Sequence, residues 1–128
     1  MKKRLIFGFG LVMLCGMSGC SGSSAEGILK EQVAEMNNIT TLLQGIKDDA
    51  SADAAMPKIE KSVLRIKELD GKLKDLKMPV SEKKRLEDQY VNKEIPDAAS
   101  KMQAALVQAM TKAPKKAMDI AAILKKAK

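Results

Sequence analysis

The 128-residue chain has no histidine and no tryptophan, and its aromatic residues are Phe7, Phe9 and Tyr90 alone. Lack of histidine takes away the usual ligand of zinc, haem and copper sites and the commonest general base. Scarce aromatics leave no platform on which nucleic-acid bases would stack, so nucleic-acid binding is disfavoured despite a formal charge of +7. Glycines downstream of residue 21 are scattered at Gly22, Gly27, Gly45 and Gly71, so no phosphate-cradling loop forms. There are two cysteines, Cys15 and Cys20. No apolar run reaches the 20 or so residues that a membrane-spanning helix needs, and no alternating apolar pattern marks a strand.

What is present begins with an export-signal layout. Lys2, Lys3 and Arg4 form a basic start, and Leu5 to Met17 form a short apolar segment interrupted by Gly8, Gly10 and Gly16. Met17-Ser18-Gly19-Cys20 follows, a cysteine preceded by two small residues. Over about its first 21 residues the chain resembles bacterial lipoproteins, whose lipobox cysteine receives diacylglycerol before a peptidase cuts ahead of it. The resemblance implies cleavage between Gly19 and Cys20, removal of residues 1–19, and attachment of two or three palmitate-type chains to Cys20. A single acyl chain holds weakly, whereas two or more anchor stably. Met17 stands where this class usually has Leu. Ser21, where an Asp would retain the protein in the inner membrane by the class rule, implies the periplasmic face of an outer membrane. A host with one membrane would carry it on the extracytoplasmic face.

Cleavage leaves residues 20–128, in which Cys20 has no disulfide partner, Tyr90 is the one aromatic residue, and 20 basic side chains face 16 acids. Residues 20–24 form a Ser/Gly tether that extends at most about 17 Å. Residues 25–128 read as one all-α domain. Leu29, Val33, Met36, Ile39, Leu43 and Ile46 recur in steps of three and four. So do Met56, Ile59, Val63, Ile66, Leu69, Leu73 and Leu76 after an interruption at Asp48 to Ser51. Pro57 is expected to mark the first turns of that second helix. Met78-Pro79-Val80 punctuates, Ser81 offers an N-cap, and a third stripe runs through Leu86, Ile95, Ala99, Met102, Leu106 and Met110. Pro96 is expected to kink or divide it. Lys112-Ala113-Pro114 gives the last break before a basic helix over 114–128. The pattern predicts an antiparallel helical hairpin extended to a three- or four-helix bundle. From Leu69 through Ile95 to Met110 the layout resembles small helical lipoproteins of planctomycete-type bacteria, which implies no activity.

Candidate chemistry is sparse. Glu31 with Glu35 and Glu87 with Glu94 are spaced to share a helix face, where paired acids hold a cation or simply face water. Asp48, Asp49 and Asp53 lack the glycine turn and final glutamate of a calcium loop and read as helix-end charges. Ser81-Glu82-Lys83-Lys84 matches the Ser-x-x-Lys spacing of acyl-serine enzymes without their companion motifs. The reading is therefore of a non-enzyme with no metal and no cofactor.

The best contact candidates are Lys112, Lys115, Lys116, Lys125, Lys126 and Lys128, which flank Met118, Ile120, Ile123 and Leu124. Such a helix either meets anionic lipid, an envelope protein or a wall polymer, or packs as the last helix of the bundle with lysines at its negative end. A terminal lysine also resembles the small enterobacterial lipoprotein joined to peptidoglycan by its last residue. The functional expectation is a membrane-anchored envelope interaction or scaffold module. The alternative is a module for a small apolar ligand or client protein, with Met36, Met56, Met102 and Met110 lining an adaptable groove.

Overall fold

The computed structural model describes residues 24–127. Helix α1 spans Ala25–Gln44, α2 Asp49–Asp75, α3 Val80–Leu86, α4 Ile95–Lys112 and α5 Pro114–Lys125, and a π-helical stretch, Glu87–Glu94, joins α3 to α4. No strand occurs among the described residues. The architecture is the all-α bundle that the apolar spacing predicts.

Helix α1 begins where Ser24 caps it, its hydroxyl accepting from the amide of Gly27 at 3.2 Å. It descends about 30 Å and stops at Gly45. Asp48 then starts α2 with a capping box: its carboxylate accepts from the Ser51 amide at 2.8 Å while the Ser51 hydroxyl accepts from the Asp48 amide at 3.1 Å. Two amides that would lack helical partners are thereby satisfied. The interruption therefore covers Gly45 to Asp48, and Asp49 to Ser51 are already helical. Pro57 lies two turns inside α2 and not at its start; it is exposed, and its ring faces solvent without ending the helix.

Pro96 does not divide the third segment either. Residues 80–112 form one continuous rod, with Glu94 and Ile95 both in helical conformation. An α-helical proline would clash with the carbonyl four residues back, here Asn92. The rod widens into the π register just before it, and the Ile95 amide bonds to the Tyr90 carbonyl five residues back. Ala113 then leaves helical geometry, and Pro114 opens α5 at a position where its missing amide costs nothing.

Helix α1 packs on both α2 and α4, and α5 folds back against α2 and α4. Two cores result. The distal one joins Ile39, Leu43, Ile46, Ala52, Ala55, Ile59 and Val63 to Ala105, Ala109, Ala113, Ala117 and Ile120. The other, at the end where α1 begins, gathers Ala25, Leu29, Leu86 and Tyr90, with Val33, Leu73, Leu76, Met78 and Ile95 around them. In α4 the buried residues are Ala98, Ala105 and Ala109, whereas Ala99, Met102 and Leu106 are half-buried and Met110 is exposed. The expected stripe is thus rotated: alanines take the line of closest helix approach, and larger neighbours close its flanks.

Candidate functional site

The end of the bundle where α1 begins, called the tether end after the expected Ser/Gly tether ahead of Ser24, combines charge, an open apolar groove and Tyr90, the one aromatic residue among those described. Its construction starts at Tyr90, which the π turn places with its ring fully buried between α1 and the rod. The hydroxyl donates to Glu26 Oε1 at 3.4 Å, and Arg85 Nη2 reaches Glu26 Oε2 at 3.3 Å. Lys30 approaches the same carboxylate at 3.8 Å. The Arg85 hydrogen bond lowers the Glu26 pKa, with burial opposing it and Lys30 assisting. Tyr90 is shifted the other way, first by burial and then by the charges of Glu26 and Glu94. These contacts tie the first turn of α1 to the rod.

Further along, Arg65 Nε donates to Glu31 Oε1 at 2.7 Å and Nη1 lies 3.1 Å from Glu68, clamping α1 to α2. Asn38 donates to the Ser62 hydroxyl at 3.0 Å across the same interface. No buried side-chain nitrogen or oxygen among the described residues lacks a hydrogen-bond partner.

Beside the Tyr90 cluster, α2, its following turn and the rod enclose a groove of about 610 Å³. Leu29, Leu73, Leu76, Met78, Leu86 and Val91 supply its apolar walls; Lys74, Lys77, Lys83 and Glu87 form its charged lining. Lys74 is held by Asp70 at 2.8 Å, which raises its pKa, whereas Lys77 and Lys83 enter no ion pair among the described residues. Val80 heads α3 with 84% of its surface exposed. An open apolar trough with ammonium groups at its margin suits an amphiphile with a negative head.

The residues singled out from sequence are distributed differently. Gly19, Cys20 and Lys128 lie outside the described residues. Lys112, Lys115, Lys125 and Lys126 are exposed on the distal half, separated along α5 by about 18 Å. Lys116 is engaged with Asp53 at 2.8 Å, which raises its pKa. Since Ala117 and Ile120 are buried in the distal core, the basic helix packs on the bundle. Asp48 is a cap and Asp49 a first-turn charge, but Asp53 serves as the partner of Lys116 and not as a helix-end charge.

Glu31 is taken by Arg65, while Glu35 borders a shallow polar depression with Lys58, Lys61 and Ser62. Glu87 and Glu94 stand exposed at the two ends of the π stretch. No cluster able to hold a metal occurs among the described residues. Ser81 does not cap α3: Pro79 occupies that position without a side-chain bond, and Ser81 sits exposed inside the first turn, with Lys84 exposed three residues on. None of the four methionines lines the groove beside Tyr90. Met56 and Met102 pack against the distal core, and Met110 is 42% exposed on α4.

The Glu26–Arg85–Tyr90 cluster was not foreseeable from spacing, because 59 and 64 residues separate its members. The groove left a fainter trace. Residues 72–85 carry six basic and two acidic side chains around Leu76, Met78 and Val80, the same basic-flanked apolar pattern as the tail. No helix among the described residues is long and apolar enough to cross a membrane. No known protein family, curated protein or solved structure matches the chain.

Proposed function

We propose that this chain is a lipid-anchored helical protein of the bacterial envelope, fastened through Cys20, with the outer membrane's periplasmic face as its place where the host has one. It serves there as a non-enzymatic interaction or scaffold module. One observation supports this most directly: the described bundle begins at Ser24 and Ala25, four to five residues after the lipobox cysteine, and among the described residues both cores gather side chains from that point onward. A domain of this kind hangs on a short tether.

Metabolic labelling with a fatty-acid analogue tests the anchor; the native protein takes up label and Cys20→Ser does not. Equal labelling of the two, or none in either, removes the proposal. The scaffold role is tested by crosslinking in intact cells followed by affinity purification, with one envelope protein or wall polymer enriched reproducibly. The alternative, a module for a small apolar ligand, is supported by the lysine-edged groove. In that case a fluorescent fatty acid is displaced competitively from the purified protein, and Leu76→Asp or Met78→Asp abolishes the displacement.

A further inference from the structure

We propose that the turn between α2 and α3, with the groove behind it, is a docking surface for an anionic bilayer, so that the domain lies against the membrane that anchors it. The inference rests on the lipid-anchor reading and adds which face meets the lipid. Three observations converge on it.

The first is position. Arg85 on α3 touches Glu26 in the first turn of α1, and Ala25 and Leu29 share a core with Leu73, Leu76 and Met78. The α2–α3 turn therefore stands at the same end as Ser24. Residues 20–24 reach at most about 17 Å, so an anchor at Cys20 holds this end, and no other, at the lipid surface. The second is apolar exposure: Val80 is 84% exposed and Val91 48%, and Leu76 and Met78 are only half-buried. Such side chains at a tethered end enter the interfacial zone beside lipid headgroups. The third is charge. Residues 72–85 carry six basic side chains against two acidic ones, and Lys77 and Lys83 are unpaired among the described residues. Lysines near an anionic surface favour the docked state by about fivefold each.

The basic tail, by contrast, belongs to the distal half, where Lys116 is already paired with Asp53. Docking through the tether end leaves that half, with α5, pointing into the aqueous compartment.

The chain contains no tryptophan, so one introduced residue gives an unambiguous optical reporter. Full-length Val80→Trp is expressed, processed and reconstituted into vesicles of phosphatidylcholine alone or with phosphatidylglycerol; Met118→Trp, at a site 66% exposed on α5, is the companion. In phosphatidylglycerol vesicles the indole emission of Val80→Trp shifts to the blue and is quenched by brominated acyl chains, whereas that of Met118→Trp stays at its solvent position. Adding Lys74→Gln, Lys77→Gln and Lys83→Gln to Val80→Trp lowers the docked-to-undocked ratio roughly a hundredfold and returns the emission to the solvent position. Val80→Trp protein that floats with the vesicles while its emission stays unshifted overturns the docking proposal and leaves the anchor intact. Protein that does not float overturns both. A shift that grows with protein density at fixed lipid assigns the surface to a second copy and overturns bilayer docking.

Discussion

The two ends of this bundle are built from the same helices by different means. At the distal end, Ala105, Ala109, Ala113 and Ala117 follow one another every fourth residue, are almost entirely buried, and let α4 and α5 come close to Ile39, Ile59 and Val63. At the tether end the core cluster has four buried members, Ala25, Leu29, Leu86 and Tyr90, the large residues around them are half-buried, and charged contacts such as Glu26–Arg85 add cohesion. Dispersion and burial scale with contact area, whereas ion pairs near the surface contribute little. Most of the stability is therefore stored at the distal end, and the open apolar groove lies at the tether end.

The largest expected contrast comes from truncating one side chain at each end. Ile59→Ala removes a fully buried residue and lowers unfolding free energy by about 2–5 kcal/mol in urea titration. Leu76→Ala, at a half-exposed site, costs about 1 kcal/mol or less. Equal losses would break the comparison. Overpacking sharpens it: Ala109→Leu is expected to cost about 1–3 kcal/mol because the helices cannot part without strain. Val91→Leu on the groove stays within about 0.5 kcal/mol.

A smaller effect has the opposite sign. A methyl group at Gly71 meets nothing within 4 Å, so Gly71→Ala raises thermal stability by up to about 1 kcal/mol through helix propensity and a less flexible unfolded chain. The smallest effect belongs to Tyr90. Its hydroxyl bond is long, and Tyr90→Phe is expected to cost about 0.5 kcal/mol at neutral pH.

The pH dependence of Tyr90 is more telling. Its folded pKa lies above the ordinary phenol value, so its contribution is complete below pH 10 and is lost as pH climbs through the raised value. Phenolate absorbance, from the sequence's single tyrosine, should titrate above 10 in buffer and return to its ordinary midpoint in urea. Glu26 behaves inversely. Its lowered pKa gives stability that is present above the unfolded carboxyl value and fades as pH falls through the folded one. Amide protection against exchange in the first turn of α1 should fall in acid before that of α4 does.

The helical stripes of α1 and α2 were legible because each buries one continuous face. Leu29, Ile39, Leu43, Ile59, Val63 and Leu69 are all buried where three-and-four spacing puts them. In α4 the same spacing pointed one residue away from the true face, since alanines read as weakly apolar in sequence but are what close helix packing selects. Prolines misled for a related reason. Pro57 and Pro96 carry local penalties, and local penalties yield when the flanking turns are held by packing on both sides or when the ladder widens to the π spacing. The groove at the tether end was unreadable as a site, because Leu29, Leu73 and Leu86 belong to three separate helices.

The helical class and the last helix break, at Pro114, were fixed by local order alone. Such features depend on neighbours a few positions apart, whose spacing and backbone preferences are written directly in the chain. Which face of the alanine-rich helix turns inward, that the basic tail packs on the bundle, and that lysines from α2, its turn and α3 border one apolar trough were decided by tertiary structure. Those outcomes turn on which surfaces fit closely enough to exclude water, a property of pairs of helices that no single helix carries.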